Sequence, residues 1–107
     1  MAAYWLGRAT YRDVKLIDRY IKENGVFSHY PSGNYSYELL SRDGKVVELE
    51  GGSHYEHYYL WKFPSLEVAL ERYNNPKYQE VANLRRAGSS AGELVVMEGG
   101  DHFGGKY

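Results

Sequence analysis

Cysteine is absent from this chain, which removes disulfides, thiolate metal sites and a cysteine nucleophile. Neither sign of charge dominates. Thirteen Lys and Arg stand against 14 Asp and Glu, giving a formal net charge of −1, and no run of like charges occurs. The clustered basic face that nucleic acid or an anionic membrane requires is therefore missing. No apolar run approaches the length of a membrane span, and the opening "MAAYWLGRAT" lacks the charged-then-apolar layout of a signal peptide. Together these absences suit a cytoplasmic protein. What is abundant is tyrosine, with 12 copies in 107 residues. Tyrosine collects where a surface is half-buried and needs a polar tip, as on strand faces, at interfaces and in pockets. Hydrophobic residues make up 43% and charged residues 25%, ordinary values for a folded domain. We read one domain over residues 1–98 and a loose, glycine-rich tail over 99–107. A chain of this size leaves about a third of its surface exposed, so a partner subunit would help to stabilise it.

The pattern of residues gives the order of elements. "AYWLGRATY" reads as a strand over 3–10. Thr10 and Asp13 resemble a helix start, Val14, Ile17, Tyr20 and Ile21 share a face, and Asn24-Gly25 reads as a stop, so the first helix is expected over 11–24. A loop with Pro31, Ser32, Gly33 and Asn34 follows. "YSYELLSRDGKVVELEG" reads as a β-hairpin turning on Asp43-Gly44, and "HYEHYYLWKF" as the next strand, from His54 to Phe63. Ser65 caps a helix that places Leu66, Ala69, Leu70 and Tyr73 on one stripe. Asn75-Pro76 starts another helix, which buries Tyr78, Val81 and Ala82 and carries "NLRR" near its end, where cations suit the helix C-terminus. Gly88–Gly92 reads as a loop, and "ELVVMEG" as the last strand. This order describes an α+β, ferredoxin-like β-α-β-β-α-β protomer: an antiparallel sheet with helices on one face. The second sheet face is expected to be too aromatic to leave wet, and a homodimer pairing two sheets face to face would cover it.

"AYWLGRAT", "RDGKVVELEG", "FPSLEVALERYNNPKYQEVANLRR" and "GELVVMEG" together resemble the family known as domain of unknown function 1330, over about residues 3–98. The most specific part is the "FPS…A…YN-x-P-x-Y-Q…LR" segment. That family belongs to the dimeric α/β-barrel superfamily, so the resemblance implies a protomer whose sheet packs against its twin. It also implies a pocket between sheet and helices that takes small organic molecules and, in some relatives, haem. The superfamily includes cofactor-free monooxygenases, cyclases, isomerases and lyases. No cofactor is expected for this chain; haem is kept as a lesser alternative. The stretch "GVFSHYPSGNYSY" is longer than the family's usual turn, and loops on a rigid scaffold are where function diversifies.

The candidate chemistry follows from strand parity. Tyr55, His57, Tyr59, Trp61 and Phe63 would share one face of a regular strand, and His54, Glu56, Tyr58, Leu60 and Lys62 the other. His54 and His57 then point apart, which argues against a shared metal, since zinc needs three or four converging ligands. His57 reads either as a histidine satisfied within an aromatic layer, as a general acid or base near neutral pH, or as a haem or metal ligand. Arg8 and Arg42 read either as ion-pair partners of Glu48 or Glu98 or as clamps for a substrate oxyanion. Two functions are carried forward. The first is a cofactor-independent enzyme acting on a compact aromatic or enolisable molecule. His57 or His29 would move the proton, Arg42 or Arg8 would hold the oxyanion, and Trp5, Tyr35, Tyr37, Tyr59 and Trp61 would shape the pocket. The second is a non-catalytic dimeric module for ligand binding or assembly, in which the aromatics are core and interface.

Overall fold

The structure, a computed structural model, describes residues 1–29, 37–52 and 54–105, with the side chains of 26–29 outside the description. Strand β1 (Ala3–Tyr11) alternates as its sequence demands: Ala3, Trp5, Gly7 and Ala9 are buried, and Tyr4, Leu6 and Arg8 between them are less so. Helix α1 (Val14–His29) starts on Asp13, whose Oδ1 accepts the backbone N–H groups of Lys15 at 3.1 Å and Leu16 at 3.3 Å. Thr10, expected near the cap, remains in the strand. The helix also runs through the expected stop at Asn24-Gly25. Asn24 does not cap it; its Oδ1 accepts from Arg72 Nη2 at 2.6 Å, so the residue serves a tertiary contact instead of a local one.

The expected hairpin on Asp43-Gly44 does not form. Strand β2 is short (Glu38–Arg42), and its partner is β3 (His57–Phe63), pairing Leu39 with Trp61 and Arg42 with Tyr59 across a bulge. Asp43 takes a left-handed backbone (φ 56°) and its N–H donates to the Tyr58 carbonyl at 3.0 Å, which ends the ladder. The would-be second arm stays exposed, Val47 at 66% and Leu49 at 88%. Its apolar side chains have nothing to pack on, so the aromatic β3 wins the pairing. His54 is also left-handed (φ 55°). Strand β3 therefore begins at His57 and not at His54, which removes Tyr55 from the expected parity.

Local capping signals hold where they are strongest. Ser65 Oγ accepts the Val68 N–H at the start of α2 (Leu66–Asn74), and Asn75 Oδ1 accepts the Lys77 N–H at the start of α3 (Pro76–Ala87). Strand β4 (Ser89–Glu98) begins before the expected Gly88–Gly92 loop ends, because Ser89, Ala91 and Gly92 pair with the far end of β1 across a register shift. The sheet order is β2-β3-β1-β4, every pair antiparallel. This is a ferredoxin-like sheet with three helices in β-α-β-β-α-α-β order.

The core lies between sheet and helices: Trp5, Phe63, Ala69, Tyr78 and Ala82. Trp5 packs on Phe63 at 5.4 Å and edge-on to Tyr78 at 5.7 Å. Registers then divide the sheet. Trp5, Trp61 and Val96 align on the helix side, while Leu6, Leu60 and Val95 form a row on the other. The expectation of an aromatic second face is corrected accordingly. Phe63, Trp61 and Tyr59 belong to the helix side, and the open face mixes the exposed Leu6, Val95 and Met97 with Tyr4, Tyr58 and the charged Arg8, Lys62 and Glu93. Among the described residues no helix is long and apolar enough to cross a membrane.

Candidate functional site

A cavity of about 250 Å³ opens between the helix-facing side of the sheet and α1. Ligand pockets typically occupy about 300–1,000 Å³, so this one suits a compact guest. The sheet contributes Ala9, Tyr11, Arg42, Tyr59 and Trp61; α1 contributes Ile17, Tyr20, Ile21, Asn24 and Gly25; Tyr37 and Arg85 complete the wall. The helical spacing of Ile17, Tyr20 and Ile21 turns one face of α1 toward the sheet. Tyr59 lies flat because its cross-strand partner is Gly7. A Cβ on Gly7 would occupy the space of the Tyr59 ring, so glycine there allows the aromatic floor to form. Tyr37 packs on Trp61 at 5.0 Å and on Phe63 at 5.4 Å, tying the wall to the core.

The polar groups of the wall converge on Arg85. Its guanidinium lies 5.8 Å from the centre of the Tyr20 ring, and Tyr59 and Tyr78 are further polar neighbours. Its Nε is sealed from solvent and has no hydrogen-bond partner among the described residues. A buried donor left unpaired costs about 1–3 kcal/mol. Among the described residues no carboxylate forms an ion pair with it. Burial works against its charge, but the surrounding tyrosines outweigh that and hold its pKa above the ordinary value. Burial pushes the Tyr59 hydroxyl up to about 12 and also raises Tyr78 and Tyr20. Near neutral pH Arg85 is therefore a fixed cation among neutral phenols.

Of the residues expected in the site, Tyr37, Arg42, Tyr59 and Trp61 line the cavity. Trp5 does not; it is core. Arg8 lies on the open face, where its Nε and Nη2 donate to Glu93 Oε2 at 3.0 and 2.7 Å, so its partner is Glu93 and not Glu48 or Glu98. His57 sits one ring behind the wall. It stacks on Tyr11 at 3.8 Å, and its Nδ1 lies 3.1 Å from Asp43 Oδ1. Tyr35 and the His29 side chain fall outside the described residues. His54 stands apart, 3.8 Å from Glu48, and among the described residues no group of three His, Cys, Asp or Glu could hold a metal. Haem fits poorly too: no described histidine lines the cavity, and burial holds Tyr59 away from the ionised form that ligates iron.

Arg85 was expected to be a helix-end cation. A signal for its inward placement was present: with Tyr78, Val81 and Ala82 it completes an i, i+3, i+4, i+7 stripe, which Arg86 does not join.

The family model described as Domain of unknown function (DUF1330) matches residues 2–100. A comparison with curated proteins returns no match. Among solved structures, the RPA0582 protein of unknown function from Rhodopseudomonas palustris superposes with a TM-score of 0.73 at 15% identity, covering 94% of this chain and 83% of that one. A mutant of the cofactor-independent oxygenase SnoaB from Streptomyces nogalater gives 0.61 at 12% identity, covering 96% and 97%. A dimeric ferredoxin-like protein of unknown function from Thermobifida fusca gives 0.59 at 10% identity, covering 92% and 91%. These likenesses show the fold.

Proposed function

The chain belongs to the DUF1330 family, and from that premise we propose that it binds a compact aromatic or enolisable molecule in the sheet–helix cavity and acts on it without a cofactor. The reaction would be of proton-transfer type, as in a cyclase, isomerase, lyase or monooxygenase. The observation that carries this reading is the cavity itself: an aromatic-walled hollow of about 250 Å³ with Arg42 and Arg85 on its wall. SnoaB, a cofactor-independent oxygenase on the same fold, is consistent with it.

The roles follow from placement. Asp43 orients His57 through Nδ1, leaving Nε2 to accept or deliver a proton. Arg42, on the wall and exposed to solvent, stabilises an oxyanion that develops there. Tyr37, Tyr59 and Trp61 shape the apolar body of the site. Arg8, already held by Glu93, has no part in it. The protomer is further proposed to dimerise through the open sheet face, where Leu6, Leu60 and Val95 form an apolar row; the Thermobifida fusca protein is described as dimeric.

The test is a screen of compact enolisable ketones and 1,3-dicarbonyls for α-proton exchange in D2O, followed by NMR. Wild type should accelerate exchange of at least one compound, and His57→Ala should abolish the acceleration while the far-UV circular dichroism stays unchanged. Equal rates for the two proteins would remove His57 from the chemistry. One observation favours the second reading, a binding module without turnover: His57 lies behind Tyr11 and not on the wall. In that case ligand binding would respond to Tyr59 and Trp61 variants and be indifferent to His57→Ala.

A further inference from the structure

We infer that Arg85 is the anion anchor of the cavity and that the ligand is a compact organic carboxylate, its apolar body against Tyr37, Trp61 and α1 and its charged end on the guanidinium. This rests on the reading of the cavity as a ligand site and narrows its substrate class. Arg85 borders the cavity, and among the described residues its buried Nε has no hydrogen-bond acceptor and no carboxylate pairs with it. A guanidinium presents five donors in a fixed fork suited to two parallel hydrogen bonds with a carboxylate. Its protein neighbours here are phenols. Tyr20 supplies a ring face, and none of Tyr20, Tyr59 and Tyr78 supplies a negative charge near neutral pH.

A second cavity of about 270 Å³ meets the first at Arg85, Ala9 and Tyr59. Its wall holds Arg8, Arg86 and Glu93. Arg8 and Glu93 offset one another through their 2.7 Å ion pair, which leaves the two helix α3 arginines as the net charge. Both cavities therefore present positive potential at the same guanidinium, and a ligand acid would be drawn to it. Arg42, on the wall of the first cavity, is left for charge that develops during reaction.

The experiment titrates benzoate, phenylacetate and 4-hydroxybenzoate, and the three matching amides, into 15N-labelled protein. It follows the Arg85 Nε–Hε resonance, assigned by its loss in Arg85→Lys. Carboxylates should bind about tenfold or more tightly than their amides, the size of one charge-assisted hydrogen bond, and should shift that resonance. Arg85→Met should lose the preference for the acids, and Arg85→Lys, which keeps the charge without the two-pronged fork, should retain only part of it. Equal affinity of acids and amides for wild type, or a preference that survives in Arg85→Met, overturns the anchor and leaves the cavity reading intact. Failure of all six compounds to bind wild type overturns both. Should Arg85→Met not fold, the wild-type resonance and the acid-to-amide ratio still decide.

Discussion

Gly7 and Tyr59 face one another across β1 and β3, and much of the cavity floor depends on that pair. Gly7→Ala forces the Tyr59 ring to move. The expected cost is about 1–3 kcal/mol, as for other overpacked sites, read from urea denaturation; unchanged stability would mean that the ring has room to spare. The Tyr59 hydroxyl makes a second prediction. Burial raises its pKa to about 12 in the folded chain, against an ordinary value near 10. The folded state thus holds this proton more tightly than the unfolded one. The resulting stability is fully present below about pH 10 and is lost as pH rises toward 12, amounting to about 2–3 kcal/mol. Tyr59→Phe should flatten that alkaline slope in pH-dependent urea melts, and an identical slope in the variant would refute the assignment. At this scale strand parity found Tyr59 and Trp61 because the period of two is local. It placed His57 on the right face, but it had no means of showing that Tyr11 would stand between His57 and the hollow. Arg85 was legible only as the last member of an otherwise apolar stripe.

Elements held to their sequence signals where the signal was satisfied within a few residues. Ser65 and Asn75 cap α2 and α3 as their positions suggest, and Asn75→Ala should lower stability by about 1 kcal/mol in thermal or urea unfolding; no change would show the cap to be redundant. Signals failed where a distant partner decided. Asn24-Gly25 looks like a helix end, yet Asn24 bonds to Arg72, 48 residues on. Gly25 then lies inside α1, with nothing among the described residues within 4 Å of where a Cβ would stand. Gly25→Ala should stabilise the protein by roughly 0.5–1 kcal/mol. Were the helix to stop there on a left-handed glycine, the same substitution would destabilise it, so the sign of the change decides between the two. The hairpin on Asp43-Gly44 failed for a related reason. Asp-Gly favours a tight turn, but Val47 and Leu49 had no surface to pack on, and β3 offered β2 a whole row of rings.

For the whole molecule, the order of elements and the ferredoxin-like topology were legible because the alternation of strand and helix patterns is spread over the entire chain. The division of labour between the two sheet faces was not. The rings expected at a subunit interface line the cavity instead, and the aliphatic row of Leu6, Leu60 and Val95 takes their place on the open face. Val95→Glu should therefore convert a dimer to a monomer in analytical ultracentrifugation, and Trp61→Ala should leave assembly unchanged; a wild-type monomer at micromolar concentration would contradict the proposed pairing. The central claim concerns the hollow beneath the helices, and the two tryptophans test it within one spectrum. Trp61 is on the cavity wall and Trp5 is packed in the core. In a 1H–15N titration with compact aromatic fragments, the Trp61 indole N–H should shift saturably while that of Trp5 stays in place. Fragments that move neither indole, or that move only residues of the open face, would show that the cavity takes no guest.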